Sequence, residues 1–498
     1  MSATCVNPVL PGFQPDPSVC RVGEDYYLVT SSFELFPGLP VHHSRDLVNW
    51  QLIGHALHRP AQINLSHTPS SKGIFAPTLR HHHGRFYLIC TDVGGVENFI
   101  LHATDPAGPW SDPVLVAIGG IDPSLCFHDG RVYLTVSAPD QAGVLGAEID
   151  PDTGLLLTES ALWWRGTGGK YPEGPHLYFR AGWFYLLISE GGTEFGHMIT
   201  VARSRRADGL YEPAPHNPIF SHRSFDHPLQ STGHGDLVQV QDGSWWMVFL
   251  AARHVGYPPM HHLGRETCLA PVEWPEGGWP HVVTPLPLNL PCPPAAVSTA
   301  FPRATVSPWV FRRTPPPTLA SATVNGEGSR LPCLPLTLDD VACCALLARR
   351  QTAFEVMFSA DVTLEPGEPG DAAGLAVVMN EQHYATIMLT READGFSIVV
   401  RQRVGELRAE RARLRVEVEP VGLRVRAQAE SYHFEWAGRE GWGELAVVST
   451  RHLSTELAGG FTGALLGLYA TSPSRTSHGA ASFRRIDYSP VMSLTGPI

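Results

Sequence analysis

Apolar positions in this chain gather into short aromatic strands that follow turns, and the spacing between turn and strand recurs. Five segments carry it: PDPSVCRVGEDYYLVTS, FAPTLRHHHGRFYLICT, IDPSLCFHDGRVYLTVS, EGPHLYFRAGWFYLLIS and HGDLVQVQDGSWWMVFL. Pro17 precedes Tyr27 by ten residues, and Pro77, Pro123 and Pro175 stand in the same relation to Tyr87, Tyr133 and Tyr185. In the fifth segment Asp236 takes the proline place and Trp246 the tyrosine place. Each unit reads as a strand, a glycine-containing hairpin turn and a second, aromatic strand. The aromatic places lie 60, 46, 52 and 61 residues apart, which leaves room for two further strands per unit. Four-stranded sheets at that period, covering one another side by side, predict a five-bladed β-propeller. A β-sandwich with chance internal likeness is the alternative, but it would have to repeat the spacing five times.

The repeat also places chemistry. Innermost strands of a propeller start at one mouth of a central channel. The residue just before the proline place, or one further back, should point there. Those residues are Asp16, Phe75, Asp122, Glu173 and His234. A single Asp before Pro is more often a turn cap. Three carboxylates at equivalent positions with no lysine or arginine beside them would repel one another, a cost that points to a task. Paired carboxylates with separated proton affinities are what glycosidic-bond hydrolysis needs: one neutral to protonate the leaving oxygen, one charged to take a proton from water. Glu173 is held between prolines in Tyr-Pro-Glu-Gly-Pro, just before an apolar strand.

Composition narrows the field. The 498 residues exceed one ordinary domain, and 43% of them are hydrophobic against 17% charged. With 44 prolines and 48 glycines, short strands and tight turns are favoured over long helices. The net charge of −12 argues against nucleic acid or an anionic membrane as partner. No stretch approaches a membrane span, and MSATCVNPVLPGFQPDP lacks the basic and apolar parts of a secretory signal, so the expected location is the cytoplasm. Nine cysteines with no Cys-x-x-Cys pair read as reduced, mostly buried thiols. The run His81-His82-His83 falls in a hairpin turn, where alternating side chains cannot all face one ion.

The stretch NPVLPGFQPDPSVCRVGEDYYLVTSSFELFPGLPVHHSRDLVNW resembles glycoside hydrolase family 43, the β-xylosidase and α-L-arabinofuranosidase group. So do GIDPSLCF, YPEGPHLY, STGHGDLV and LGRETCLAPVEW, and the likeness runs from residue 6 to about 285 and more weakly beyond. The resemblance implies a five-bladed propeller and an inverting reaction. It implies Asp16 as general base, Glu173 as general acid and Asp122 as the residue that tunes and orients the acid. Carboxylates roughly 6.5–9.5 Å apart would then leave space for a water. It places Arg265 in the sugar site, Phe33 and Phe36 as pocket aromatics, and His234 near a water or calcium ion on the propeller axis. No other cofactor is implied. Two positions depart from the pattern: Phe75 stands where tryptophan is usual, and Cys268 where phenylalanine is usual. Cys268 does not read as a nucleophile, since no motif sets a histidine against it.

From 291 to 320 the chain is proline-rich and reads as a surface linker between a propeller over 1–290 and a β-sandwich, jelly-roll or concanavalin-like, over 321–498. Leu414, Val416 and Val418 alternate with Arg415, Glu417 and Glu419, a half-exposed strand where the charged run GELRAERARLRVEVEP could suggest a helix. The sandwich is expected either to bind sugar or to wall the pocket, with GGFTGALLGLYATSPSR as the approaching segment and the wall role favoured.

The sequence thus points to an exo-glycosidase that releases xylose from short β-1,4-xylo-oligosaccharides, with α-L-arabinofuranosidase as the close alternative or second activity. A catalytically silent sugar-binding propeller and a retaining propeller enzyme are the other readings. Family members are often oligomeric, but no motif in this chain specifies a homo-oligomer.

Overall fold

The computed structural model describes residues 4–141, 143–293, 306–417, 420–438, 441–474 and 476–491. Among them are strands, two short 3-10 turns and one four-residue helix, Thr455–Ala458. Five antiparallel sheets follow one another in sequence and form the blades. The first runs outward through Ser18–Val22, Asp25–Val29, Gly38–Ser44 and Gln51–Leu57. The innermost strands of the others are Thr78–His82, Ile121–His128, Glu173–Arg180 and Leu229–Gln239.

The ten-residue spacing sets one hairpin register. Cys20, Arg80, Cys126 and Tyr178 lie opposite Tyr27, Tyr87, Tyr133 and Tyr185. Three of the turns, His83-Gly84, Asp129-Gly130 and Ala181-Gly182, have positive φ at both central residues. Such turns twist in the same sense as the strands they join. The side chains of the aromatic strand then divide between two cores, because successive residues point to opposite faces. Tyr27 and Val29 pack into the core shared with the second blade, while Tyr26 and Leu28 pack into the core shared with the fifth. The recurring aromatic always faces the following blade: Tyr87 lies in the core against the third, Tyr185 in that against the fifth, and Trp246 in that against the first. Both faces are buried, so these strands read as nearly continuous apolar runs.

The ring is closed by the N-terminal segment. Leu10 exchanges backbone hydrogen bonds of 3.1 and 3.2 Å with Thr267, adding an outer strand to the fifth blade. The Asn7 amide donates to the Leu269 carbonyl and accepts from its N–H, both at 2.8 Å, extending that pairing. On the axis, fully buried Asp236 receives Arg80 at 2.8 Å, the Ser18 hydroxyl at 2.7 Å and the Tyr178 hydroxyl at 2.6 Å, from three other blades. Burial opposes this charge, but the Arg80 guanidinium holds the Asp236 carboxyl well below the usual carboxylate range.

The C-terminal part is a sandwich of a six-stranded and an eight-stranded sheet around one apolar core. The expected charged strand is present as Leu407–Val416; Val418 and Glu419 lie outside the described residues. The expected linker over 291–320 is in part structural. Residues 294–305 are outside those described, but Val310–Arg312 is a strand of the larger sheet, paired with Ala345–Arg350 on one side. On its other side it pairs with Leu35–Phe36, a strand of the propeller chain. Arg312 and Arg313, both almost fully buried, meet Glu381 at this seam. A pattern of prolines conceals the strand, since VFRR spans too few residues to show a period.

Candidate active site

At one mouth of the propeller, Asp16, Asp122, Glu173, His234 and Phe75 line one pocket with Phe33, Arg265 and Phe461, enclosing about 90 Å³. Larger clefts of about 450 and 380 Å³ lie on the sandwich, but the carboxylates that converge from separate blades meet only at the smaller one among these three.

The backbone aims these side chains by a repeated kink. Asp16 and Asp122 have φ of 55° and 56°, and Gly174, in the same place before its proline, has 57°. Left-handed backbone at a non-glycine residue costs on the order of 1–3 kcal/mol and survives where surrounding structure imposes it. The inner strands of the third and fourth blades also shift register between Ile121 and Ser124 and between Glu173 and His176. These irregularities turn the strand start toward the channel. Around Glu173 the Tyr-Pro-Glu-Gly-Pro turn is tied down on both sides. The Ser137 hydroxyl donates to the Pro172 carbonyl at 2.6 Å, and buried Glu190 gathers Thr167 N–H at 2.9 Å and Gly169 N–H at 2.8 Å from the preceding loop. Glycine at 174 adopts that φ without strain, and a Cβ there would press on the His234 ring at 3.0 Å.

The three acids sit in different electrostatic surroundings. Asp16 is 4% exposed. Burial alone would raise its carboxyl, but Arg265, then His234, then the Ser31 hydroxyl outweigh it and hold the group below its ordinary value. Arg265 reaches both oxygens, at 2.7 and 3.3 Å, so its expected place in the site is occupied, and Glu266 pairs with Arg253 instead. Asp122 is pushed the other way. Burial first, then the charges of Glu173 and Asp16, raise it well above the usual carboxylate range, outweighing the Gly174 N–H at 3.1 Å and the charge of Arg265. Of the three, Glu173 is the most open to the pocket, with its side chain 19% exposed.

Glu173 also has a partner that the sequence reading missed. His197 is fully buried, its Nε2 lies 3.1 Å from Glu173 Oε1, and its Nδ1 lies 3.1 Å from the Ser231 carbonyl oxygen. A carbonyl only accepts, so Nδ1 carries a proton, and Nε2 is the nitrogen that faces Glu173. The ring fits because residue 233 is glycine; a Cβ there would come within 2.1 Å of it. The signal was faint, a lone histidine in EGGTEFGHMIT outside the repeat.

His234 lies beside Asp16, Nδ1 to Oδ1 at 3.7 Å, with burial holding its imidazole below the usual histidine value. Phe33 and Phe75 form a wall with ring centroids 5.0 Å apart. Phe36 does not join them: it is buried in the strand that meets the sandwich. The third ring of the wall is Phe461, from the sandwich segment anticipated without a named residue. It stands 6.1 Å from both Phe33 and Phe75, and its N–H donates to the Ser71 hydroxyl at 2.8 Å. The Arg265 guanidinium lies 5.8 and 5.7 Å from the Phe33 and Phe461 ring centres. Cys268 is fully buried in an inter-blade core, where burial raises its thiol far from reactivity. His81 and His82 close a hairpin strand and His83 begins its turn.

The arrangement offers a carboxylate held ionised by arginine, a pocket-facing carboxyl in contact with a histidine, and an acid of raised proton affinity against the turn that carries the latter. Comparison with known proteins agrees with that chemistry. The sequence profile of glycosyl hydrolases family 43 matches residues 5–280, and that of a β-xylosidase C-terminal concanavalin A-like domain matches residues 298–489. The chain is 39% identical to a non-reducing end α-L-arabinofuranosidase of Bacteroides ovatus, over 97% of this chain and 94% of that protein. It is 36% identical to a xylosidase/arabinosidase of Butyrivibrio fibrisolvens, over 95% and 96%. The crystal structure of xylan β-1,4-xylosidase from Bacillus halodurans superposes with a TM-score of 0.89 at 32% identity, covering 97% of this chain and 100% of that one.

Proposed function

Because the chain belongs to glycosyl hydrolases family 43, we propose that its pocket removes terminal xylose from the non-reducing ends of short β-1,4-xylo-oligosaccharides, with inversion. Asp16 takes a proton from water as that water attacks the anomeric carbon. Glu173 gives its proton to the glycosidic oxygen as the carbon–oxygen bond breaks, and the sugar leaves with the opposite anomeric configuration. Arg265 keeps Asp16 charged and offers its remaining N–H groups to sugar hydroxyls. Asp122 accepts the Gly174 N–H and so fixes the backbone that carries the acid. Phe33, Phe75 and Phe461 meet the apolar face of the ring. The observation that carries this reading is the meeting of three carboxyl groups in one small pocket, with Asp16 held low and Asp122 pushed high.

The roof formed by Phe461 supports action on chain ends. A second reading, release of α-L-arabinofuranose from the same pocket, is favoured by the two arabinose-active relatives. The carboxylates supply both proton transfers, so the reaction calls for no cofactor. The donors near His234 do not fit calcium, which takes six to eight oxygens; there the nearest carboxylate is already engaged by Arg265 and Ser31. All nine cysteines are free and eight are buried, which supports a reducing, cytoplasmic setting.

Nitrophenyl β-xyloside and α-arabinofuranoside assays on one preparation, with proton NMR of the first-formed anomer from xylobiose, test the proposal. β-Xylose appearing first would indicate retention and remove the base role of Asp16; no pentose released from either substrate would remove the assignment altogether.

A further inference from the structure

Away from the pocket acids, two propeller histidines and one sandwich glutamate meet at the seam between the domains. His254 follows the strand Trp245–Arg253, His261 lies a short loop later, and Glu456 is on the helix Thr455–Ala458. One nitrogen of each histidine and a carboxylate oxygen lie within 4.8 Å of one another. His254 Nε2 is 3.4 Å from Glu456 Oε1 and His261 Nδ1 is 2.6 Å from it. We propose that His254, His261 and Glu456 bind a divalent transition metal of the zinc class.

The donor chemistry selects the ion. Two imidazoles and one carboxylate suit zinc, cobalt or nickel, whereas calcium and magnesium take oxygen sets. Ligands about 2.0–2.1 Å from a tetrahedral ion stand about 3.3 Å apart, which the His254–Glu456 distance already matches. The His261 contact is a hydrogen bond and must open by roughly 0.7 Å as the metal takes the place of the hydrogen, whose proton moves to the other ring nitrogen. The histidine side chains are 8% and 9% exposed and the glutamate 29%, which leaves the ion a path from solvent into a fixed pair of rings. Phe195 stacks on His254 at 4.6 Å and holds its ring. His254 Nδ1 is buried without a partner, so Nε2 is the nitrogen directed at the cluster. The Glu456 carboxylate supplies the negative charge that receives the cation.

The site would tie the sandwich to the propeller. The helix that bears Glu456 is already fastened by Thr455 N–H to the His261 carbonyl at 3.0 Å, and Phe461 follows five residues on. A metal there adds a stronger fastening to the segment that roofs the pocket.

Chelator-stripped full-length protein titrated with Co²⁺ is expected to develop tetrahedral visible absorption at one equivalent per chain. Zn²⁺ competition against a chromophoric chelator is expected to give the same stoichiometry and a raised melting temperature. Glu456→Gln, which keeps volume and hydrogen bonding, and His254→Ala are each expected to weaken binding by at least about tenfold and to abolish the melting shift. No stoichiometric uptake by the wild-type chain, or uptake unchanged in both variants, would overturn the site and leave the glycosidase reading untouched.

Discussion

Asp122→Asn should make the protein less active and more stable at once, and the gain in stability should depend on pH. Folded Asp122 holds its proton more tightly than in the unfolded chain, because burial and the charges of Glu173 and Asp16 disfavour its anion. Below about pH 4, the unfolded carboxyl value, both states are protonated and the elevation costs nothing. As pH rises the unfolded chain ionises first, and native stability is lost until the folded carboxyl ionises too. Each unit of elevation corresponds to about 1.4 kcal/mol. Asparagine keeps the volume and an acceptor for the Gly174 N–H, 3.1 Å away in the wild type, and cannot ionise. Every 1 kcal/mol relieved raises the melting temperature by about 2–4 °C in a domain of this size or somewhat less. Activity on xylobiose should fall, because an amide cannot ionise or trade a proton beside Glu173 as a carboxyl can. Scanning fluorimetry of both proteins at pH 4 and pH 7.5, at one heating rate, reads the effect. A variant no more stable than wild type at pH 7.5, or a gap of the same size at both pH values, would refute the reasoning.

Glu173→Gln should lower kcat on xylobiose by about 10²–10⁴-fold and far less on a dinitrophenyl xyloside, whose leaving group needs no proton. His197→Gln should show the same leaving-group dependence in milder form, with KM nearly unchanged; equal losses on both substrates would mean that the ring only supports the fold. Arg265→Met removes the charge that holds Asp16 low, so the acidic limb of the kcat/KM profile should move to higher pH; an unmoved limb would deny Asp16 the base role. Gly233→Ala should cost stability and activity together, since the new methyl meets the His197 ring; circular dichroism melts and xylobiose turnover check it.

The propeller was legible because one physical pattern repeats. Tyr27, Tyr87, Tyr133, Tyr185 and Trp246 each had to fill the gap to the next blade, so their spacing could not drift. The acids were legible because Asp16 and Asp122 sit in Asp-Pro turns and Glu173 in Pro-Glu-Gly-Pro, at equivalent points of that pattern. His197 was not, because it lies just before a third strand, Met198–Ser204, outside the hairpin that repeats, and its value comes from a carbonyl and a carboxyl distant in sequence. Phe461 could be localised only to a segment, since a loop that crosses between domains obeys no period. Phe36 was misplaced for a related reason. Three residues from Phe33, it looks like its equal, yet it leaves the pocket to pair with Phe311.

That pairing has an evolutionary and practical consequence. The outermost member of the sandwich's larger sheet, Leu35–Phe36, belongs to the catalytic module, so the border between modules does not coincide with any cut in the polypeptide. Truncation after the propeller would strip a backbone edge of its partner and remove the third aromatic from the sugar site. Exchanging the accessory module would therefore have to supply both a new partner for Leu35–Phe36 and a new aromatic in place of Phe461.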